Sequence, residues 1–275
     1  MLEPNWPTID SLVLLMGGKP VKINALSTEE EIIKKLNQNY SSKTKMICFN
    51  TPNNPTGMVL SQSLIDNICD WAIQKNIYIL ADEVYRFLQF DVHKTTSIKF
   101  LKTYSKYIYI NSFSKKFAMT GWRIGYILSE STLVKRILKP SQLAITNVAP
   151  FVQIAALEGL TNAESIAYSE VMRAEYERRR NALTDYCRFF KMEYLNPGGA
   201  FYLFIKLPLV GITDVEFCNK LLYDYNTCTI PGSAFGKSGS GFVRLSFANE
   251  LETVKNGIDQ VNLLINELKK TNSHG

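Results

Sequence analysis

Short apolar runs alternate with helix-spaced segments along the first half of the chain. Residues 12–16 are an apolar run closed by Gly17 and Gly18, which predicts a strand, and residues 20–23 predict the start of a further one. Residues 28–39 open with a Ser/Thr cap and an acidic first turn and carry lysines further on, the charge order that suits a helix dipole. An apolar strand at 46–49 runs into residues 50–57, where two prolines and a glycine disfavour regular structure and predict a rigid loop. Leu64, Ile65, Ile68, Trp71 and Ala72 stand at helical spacing within 61–75. A buried strand at 77–81 then ends in Asp82 and Glu83. A connection over 87–105 leads to a strand at 107–110, and residues 123–128 read as another.

This alternation predicts βα units: an α/β domain with a mostly parallel sheet and helices on both faces. From residue 132 helices dominate, at 132–138, 151–160 and along 163–190, the last long enough to bridge two domains. Beyond Pro197-Gly198-Gly199 the pattern changes to a strand at 201–207, a helix at 213–225, strands near 228 and over 242–247, and a final helix at 250–270. That is a small C-terminal α+β domain. The boundary is placed near residue 170, giving a large domain over 1–170 and a small one over 171–275.

Composition narrows the classes. With 46% hydrophobic and 20% charged residues the chain is an ordinary globular one. Cysteines at 48, 69, 187, 218 and 228 form no CxxC and leave one unpaired, which points to a reduced, cytoplasmic setting. The net charge of +6 is spread along the chain in short clusters, at 178–180 and 269–270, so solvated helix faces or anionic metabolites explain it better than nucleic acid. No apolar run reaches the roughly 18 residues of a membrane span, and residues 1–10 lack the pattern of a signal peptide. With histidines only at 93 and 274, neither a histidine triad nor a metal site is expected.

The chemistry concentrates in residues 111–126, NSFSKKFAMTGWRIGY, just after a predicted strand. The amine of Lys115 can form an imine, while Ser112 and Arg123 offer a hydroxyl and a guanidinium fork to phosphate oxygens. Asn54, Asp82 and Lys115 each follow a strand run, and ligands of open parallel sheets bind outside the carboxyl ends of their strands. For pyridoxal phosphate the three chemistries interlock. Asp82 would keep the ring nitrogen protonated, making the ring an electron sink, and Asn54 with Tyr85 would hydrogen-bond the phenolic oxygen.

Five segments carry a family resemblance: Asn53-Asn-Pro-Thr-Gly57, Ala81-Asp-Glu-Val-Tyr85, Ser112-Phe-Ser-Lys-Lys-Phe-Ala-Met-Thr-Gly-Trp-Arg-Ile-Gly125, Gly198-Gly-Ala-Phe201 and Arg244-Leu-Ser-Phe247. In order and content they resemble the class I and II aminotransferases of the fold-type I pyridoxal-phosphate enzymes, closest to the bacterial aspartate-aminotransferase-like members. The resemblance implies a cytoplasmic homodimer that moves an amino group between an L-amino acid and a 2-oxo acid by a ping-pong aldimine mechanism. It assigns Lys115 to the imine and to proton transfer, Asp82 to the pyridinium, and Tyr85 and Asn54 to the phenolic oxygen. Ser112 and Arg123 fall to the phosphate, Arg244 with Asn54 to the substrate's α-carboxylate, and Trp6 to stacking on the ring.

The family's pattern begins upstream of Met1, so the resemblance also implies an N-terminally truncated member lacking a helix end that helps bind the phosphate. Two alternatives stay open: a non-catalytic remnant, and a fold-type I lyase or decarboxylase using the same lysine and aspartate. A rival lies in the serine enzymes that bind penicillin, through the SxxK pattern of Ser112 to Lys115, Tyr194-Leu-Asn196 and Lys237-Ser-Gly239; that class needs its third box on a strand.

Overall fold

The computed structural model describes residues 1–90, 94–208 and 211–272; His93 and His274 lie outside them. The chain begins with strand β1 (Leu2–Glu3), helix α1 (Thr8–Leu15), strand β2 (Ile23–Asn24) and helix α2 (Glu29–Asn39). Next come β3 (Met46–Asn50), α3 (Gln62–Gln74), β4 (Tyr78–Asp82), β5 (Tyr107–Ser112), the short α4 (Phe113–Lys116) and β6 (Gly125–Ser129). Helices α5 (Ser131–Ile145), α6 (Pro150–Thr161) and α7 (Ala163–Phe189) follow. The chain finishes with β7 (Tyr194–Leu195), β8 (Tyr202–Lys206), α8 (Asp214–Tyr225), β9 (Ile230–Pro231), β10 (Phe242–Ser246) and α9 (Leu251–Asn272).

Two compact units emerge from the contacts. The first holds Met1, Thr28–Pro52 and Val59–Ala174; the second holds Leu2–Ser27, Asn53–Met58 and everything from Glu175 on. The sequence boundary near 170 had assigned residues 2–27 and 53–58 to the large domain. Tertiary hydrogen bonds tie them to the C-terminal part instead. Asn5 N donates to Phe235 O at 3.0 Å, Ser238 N to the Glu3 carboxylate at 2.6 Å, and Gly199 N to Gly57 O at 2.9 Å.

In the first unit the sheet order is β3-β4-β5-β6, with β3, β4 and β5 parallel and β6 antiparallel to β5. The twelve residues between β5 and β6 hold only the short α4 and a 3-10 turn, and the chain returns beside β5 in the antiparallel sense. Register places Asn50 beside Asp82 and Asp82 beside Ile110, so these residues share the carboxyl edge of the sheet. Helix α3 starts where the Ser61 hydroxyl accepts from Leu64 N at 3.0 Å, and it buries Leu64, Ile65, Ile68, Cys69, Trp71 and Ala72. Helix α2 carries a full capping box between Thr28 and Glu31. Phe113 and Met119 join Ile124, Val152 and Ala156 in one buried cluster that anchors α4.

The second unit carries a four-stranded sheet in the order β7-β8-β10-β9, antiparallel throughout. Its interior includes Phe204, Phe217, Leu221, Val243, Ile258 and Val261, all buried. Thr213 and Glu216 form the capping box of α8. On β10, Arg244 pairs with Phe204 of β8 and Ile230 of β9.

Most element types follow the sequence pattern, and one does not. Residues 12–16, read as a strand, belong to the end of α1 and its cap; Leu14, Leu15 and Met16 are exposed, so the apolar run marks no buried strand. The second strand is only the pair Ile23–Asn24, and β7 was not foreseen. A close approach in the second unit yields a stability prediction. A Cβ on Gly232 would stand 2.0 Å from Gly239 O and 2.9 Å from Phe242 O. Gly232→Ala should therefore lower the unfolding free energy by about 2–4 kcal/mol, read from the denaturation midpoint; an unchanged midpoint would contradict this packing.

Candidate functional site

The carboxyl edge of β4 and β5 brings five of the sequence-predicted residues into the first unit: Asp82, Tyr85, Ser112, Lys115 and Arg123. Asp82 is the last residue of β4; its Oδ1 accepts from Val84 N at 3.2 Å and its carbonyl from Asn50 Nδ2 at 3.0 Å. The adjoining Glu83 is fully buried and accepts from Ser97 N at 2.7 Å, Ser97 Oγ at 2.5 Å and Thr96 Oγ1 at 2.7 Å. Those donors offset the desolvation of its charge and fix the turn that carries Asp82 and Tyr85. Tyr85 is buried, and Lys115 Nζ lies 5.6 Å from its ring centroid.

Lys115 sits on α4, whose first turn is capped by Ser112: the Ser112 hydroxyl accepts from Ser114 N at 3.1 Å and donates to Ile124 O at 3.3 Å. Arg123 closes the turn after residues 120–122 with φ of +53°, and its Nη1 donates to Thr120 O at 2.9 Å. A non-glycine residue held in the left-handed region costs energy and is found preferentially where function demands it. Lys116 points elsewhere, with Nζ over the rings of Phe87 at 5.5 Å and Phe117 at 4.8 Å.

The second unit assembles a different group. Arg244 Nη1 donates to Oδ1 of the buried Asn54 at 2.9 Å. Its guanidinium carbon lies 4.6 Å from the ring centroid of Tyr202 and 5.0 Å from that of Phe235. Two aromatic faces thus restrain a charged fork that an Asn amide also holds. Asn54, expected beside Asp82 and Lys115, groups with this unit, and so does Trp6, which is 45% exposed.

Electrostatics separate acid from base. Burial pushes Asp82 up to about 6, with the Glu83 charge adding to it and the Val84 N–H opposing. Lys115 is held below the ordinary lysine value by burial and then by the charge of Arg123. A lysine so shifted has more of the free amine that imine chemistry needs. The rival serine-enzyme reading loses its third box, because residues 237–239 form a 3-10 turn. A surface groove lined by Glu29, Glu30, Asp70 and Trp71 lies between α2 and α3 and contains none of these groups.

Comparison with known proteins gives the class. The model of the family "Aminotransferase class I and II" matches residues 1–261. An aromatic-amino-acid aminotransferase of Thermococcus litoralis is 35% identical over 97% of this chain and 69% of its own length. An aspartate aminotransferase of Pyrococcus abyssi is 35% identical over 98% of this chain and 70% of its own. The solved structure of an aromatic aminotransferase from Pyrococcus horikoshii superposes with a TM-score of 0.90 at 32% identity, covering 98% of this chain and 73% of that one. The chain belongs to the class I and II aminotransferases, pyridoxal-phosphate-dependent enzymes that transfer an amino group between an amino acid and a 2-oxo acid. The donor set of the first unit fits that cofactor: a lysine of lowered basicity, a desolvated carboxylate that a cationic ring nitrogen would relieve, and a hydroxyl and a guanidinium that could take a phosphate.

Sequence reasoning missed Tyr202 and Phe235 as the walls around Arg244, and Glu83 as the brace beside Asp82. Their signals were faint: Tyr202 follows the Gly198-Gly-Ala-Phe201 motif directly, and Glu83 lies inside Ala81-Asp-Glu-Val-Tyr85. Asp82 yields a pH-dependent prediction. A carboxyl whose folded pKa exceeds its unfolded value binds its proton more tightly when folded, so stability falls as pH rises from 3.8 through about 6. Asp82→Asn should thus stabilise the cofactor-free chain by on the order of 2 kcal/mol above about pH 7, with the gain fading below about pH 4. Equal melting temperatures for both proteins across that range would contradict a desolvated Asp82.

Proposed function

We propose that Lys115 is the lysine that binds the cofactor and moves the substrate's α-proton, with Asp82 at the ring nitrogen, Tyr85 and Asn54 at the phenolic oxygen, and Ser112 and Arg123 at the phosphate. Trp6 is proposed to lie against the ring. The observation that carries this reading is the partly buried Lys115 amine, lowered in basicity beside Arg123 and facing the Tyr85 ring at the carboxyl end of β5. Pyridoxal phosphate, when bound, supplies a carbonyl for amine exchange and an electron-accepting ring. The negative charge of Asp82 would keep a proton on the ring nitrogen, and the Lys115 amine would carry the α-proton to the cofactor's carbonyl carbon.

Arg244 and Asn54 are proposed to take the substrate's α-carboxylate, which suits a planar guanidinium offering two parallel N–H donors. Every α-amino acid carries that group, so the pair reads the class and not the side chain. Relatives named for aspartate and for aromatic amino acids fit such a shared carboxylate site. We infer also a cytoplasmic homodimer. Its support is the odd number of cysteines with no CxxC among them, and the exposed apolar residues Phe151, Ile154 and Leu157 of α6, which suit a subunit contact.

Two experiments test the assignment. Protein incubated with pyridoxal phosphate and reduced with borohydride should carry the cofactor on Lys115; label on Lys116 would overturn the lysine assignment. Arg244→Ala should raise KM roughly ten- to hundredfold for acidic and neutral amino acids alike. A rise confined to one class would contradict an α-carboxylate role.

A further inference from the structure

Three consecutive arginines on α7 behave differently. Arg178 pairs with Glu175 at 2.7 Å as an exposed helix pair does, and the half-buried Arg179 pairs with the same carboxylate at 2.7 Å while its Nη1 donates to Asn249 O at 2.5 Å, beyond β10. Arg180 is buried, with 8% of its surface exposed; its Nη1 donates to Pro197 O at 3.3 Å and its Nη2 lies 3.9 Å from Glu177. A buried guanidinium is costly to desolvate, so its contact with a turn carbonyl calls for an explanation beyond helix stability.

The turn it holds is a seat. A Cβ on Gly57 would stand 2.6 Å from Pro197 Cβ and 2.8 Å from Tyr202 O, and Gly57 itself has φ of +69°. Gly199 N donates to Gly57 O at 2.9 Å, so residues 53–58 dock on the turn with backbone against backbone. That docked segment is internally braced. Asn53 Oδ1 accepts from Thr56 N at 3.1 Å and Thr56 Oγ1 at 2.8 Å, and Gly57 N donates to Asn53 O at 2.9 Å. A braced segment moves as a block, and the block contains Asn54, whose Oδ1 receives the Arg244 donor at 2.9 Å. The strand leaving the turn carries Tyr202, whose ring flanks Arg244.

We propose that Arg180 is a positioning residue for carboxylate binding: by holding the turn at 197–199 it fixes the seat of residues 53–58, and with it the contact between Asn54 and Arg244. The proposal rests on the reading of Arg244 and Asn54 as the α-carboxylate site, and it adds a residue that touches neither substrate nor cofactor. Because Asn54 and Arg244 act on binding, loss of Arg180 weakens capture of the amino acid more than turnover.

The test uses the cofactor-loaded protein with Arg180→Met and Arg180→Lys. KM and kcat are measured for L-glutamate and L-phenylalanine, and amide hydrogen exchange is followed at Gly199 without substrate. Arg180→Met should raise KM for both amino acids by roughly three- to tenfold, with kcat within about twofold and with faster exchange at Gly199. Should that variant fail to fold, Arg180→Lys carries the test, since lysine keeps the charge and loses the planar fork; changes in the same direction of about twofold are expected. Unchanged Gly199 exchange in a folded variant, or a fall in kcat at unchanged KM, overturns the proposal. Arg244→Lys run in parallel separates the two readings: unchanged KM there refutes the carboxylate assignment, while Gly199 exchange judges Arg180 independently.

Discussion

A carboxylate desolvated at the end of a central strand is the constraint on which the first unit depends. Asp82 lies between β3 and β5, where burial lifts its pKa to about 6, and Glu83 follows it immediately. Two adjacent acids in such a place oppose folding unless each finds donors or a cation. Glu83 finds donors on Thr96 and Ser97, and the hydroxyl of Ser97 also meets that of Tyr107 at 2.6 Å. Asp82 receives only modest donation, from Val84 N and the Asn50 amide. Its charge is thereby left poised for a cationic partner, as the proposed role at the cofactor's ring nitrogen requires. The same edge holds Lys115 short of full basicity, through burial and through Arg123. Site chemistry and local instability therefore share one cause, the shortage of water at the strand ends.

The second unit solves a different problem, the orientation of a cation. Arg244 stands on β10 between the rings of Tyr202 and Phe235, with Asn54 accepting from one nitrogen. Phe235 is held because the segment from residue 2 to residue 27 bonds to its loop, Asn5 N donating to Phe235 O at 3.0 Å. Asn54 is held because residues 53–58 dock on the turn at 197–199. Segments far apart in sequence thus converge on one guanidinium. A fork fixed in advance would lose little rotamer freedom on binding the carboxylate proposed for it.

How much of this was legible in the sequence differs by kind of information. Elements with strong local signals came through: the Ser/Thr cap and acidic first turn at 28–39, the helical spacing of Leu64 to Ala72, and the apolar runs of β3, β4 and β5 are chemical patterns a few residues long. The run 12–16 misled because short apolar runs do not distinguish a strand from a helix. Asp82, Lys115 and Arg123 could be proposed because each lies in a motif whose spacing has a chemical meaning. The division of the chain could not. Nothing local in residues 2–27 or 53–58 announces that they pack with the C-terminal part, since the bonds that hold them there join residues up to 235 positions apart. Tyr202 and Phe235 were hidden for the same reason, their role being defined by a partner on another strand.

As an aminotransferase, this chain moves an amino group intact from one carbon skeleton to another. The most direct test supplies the cofactor-loaded protein with a 15N-labelled L-amino acid and an unlabelled 2-oxo acid, and follows the label by mass spectrometry. Transfer predicts that 15N appears in the amino acid formed from the 2-oxo acid, in equal amount to the keto acid formed from the donor. Label released as ammonium, or a donor that loses its carboxyl group, would rule out amino-group transfer.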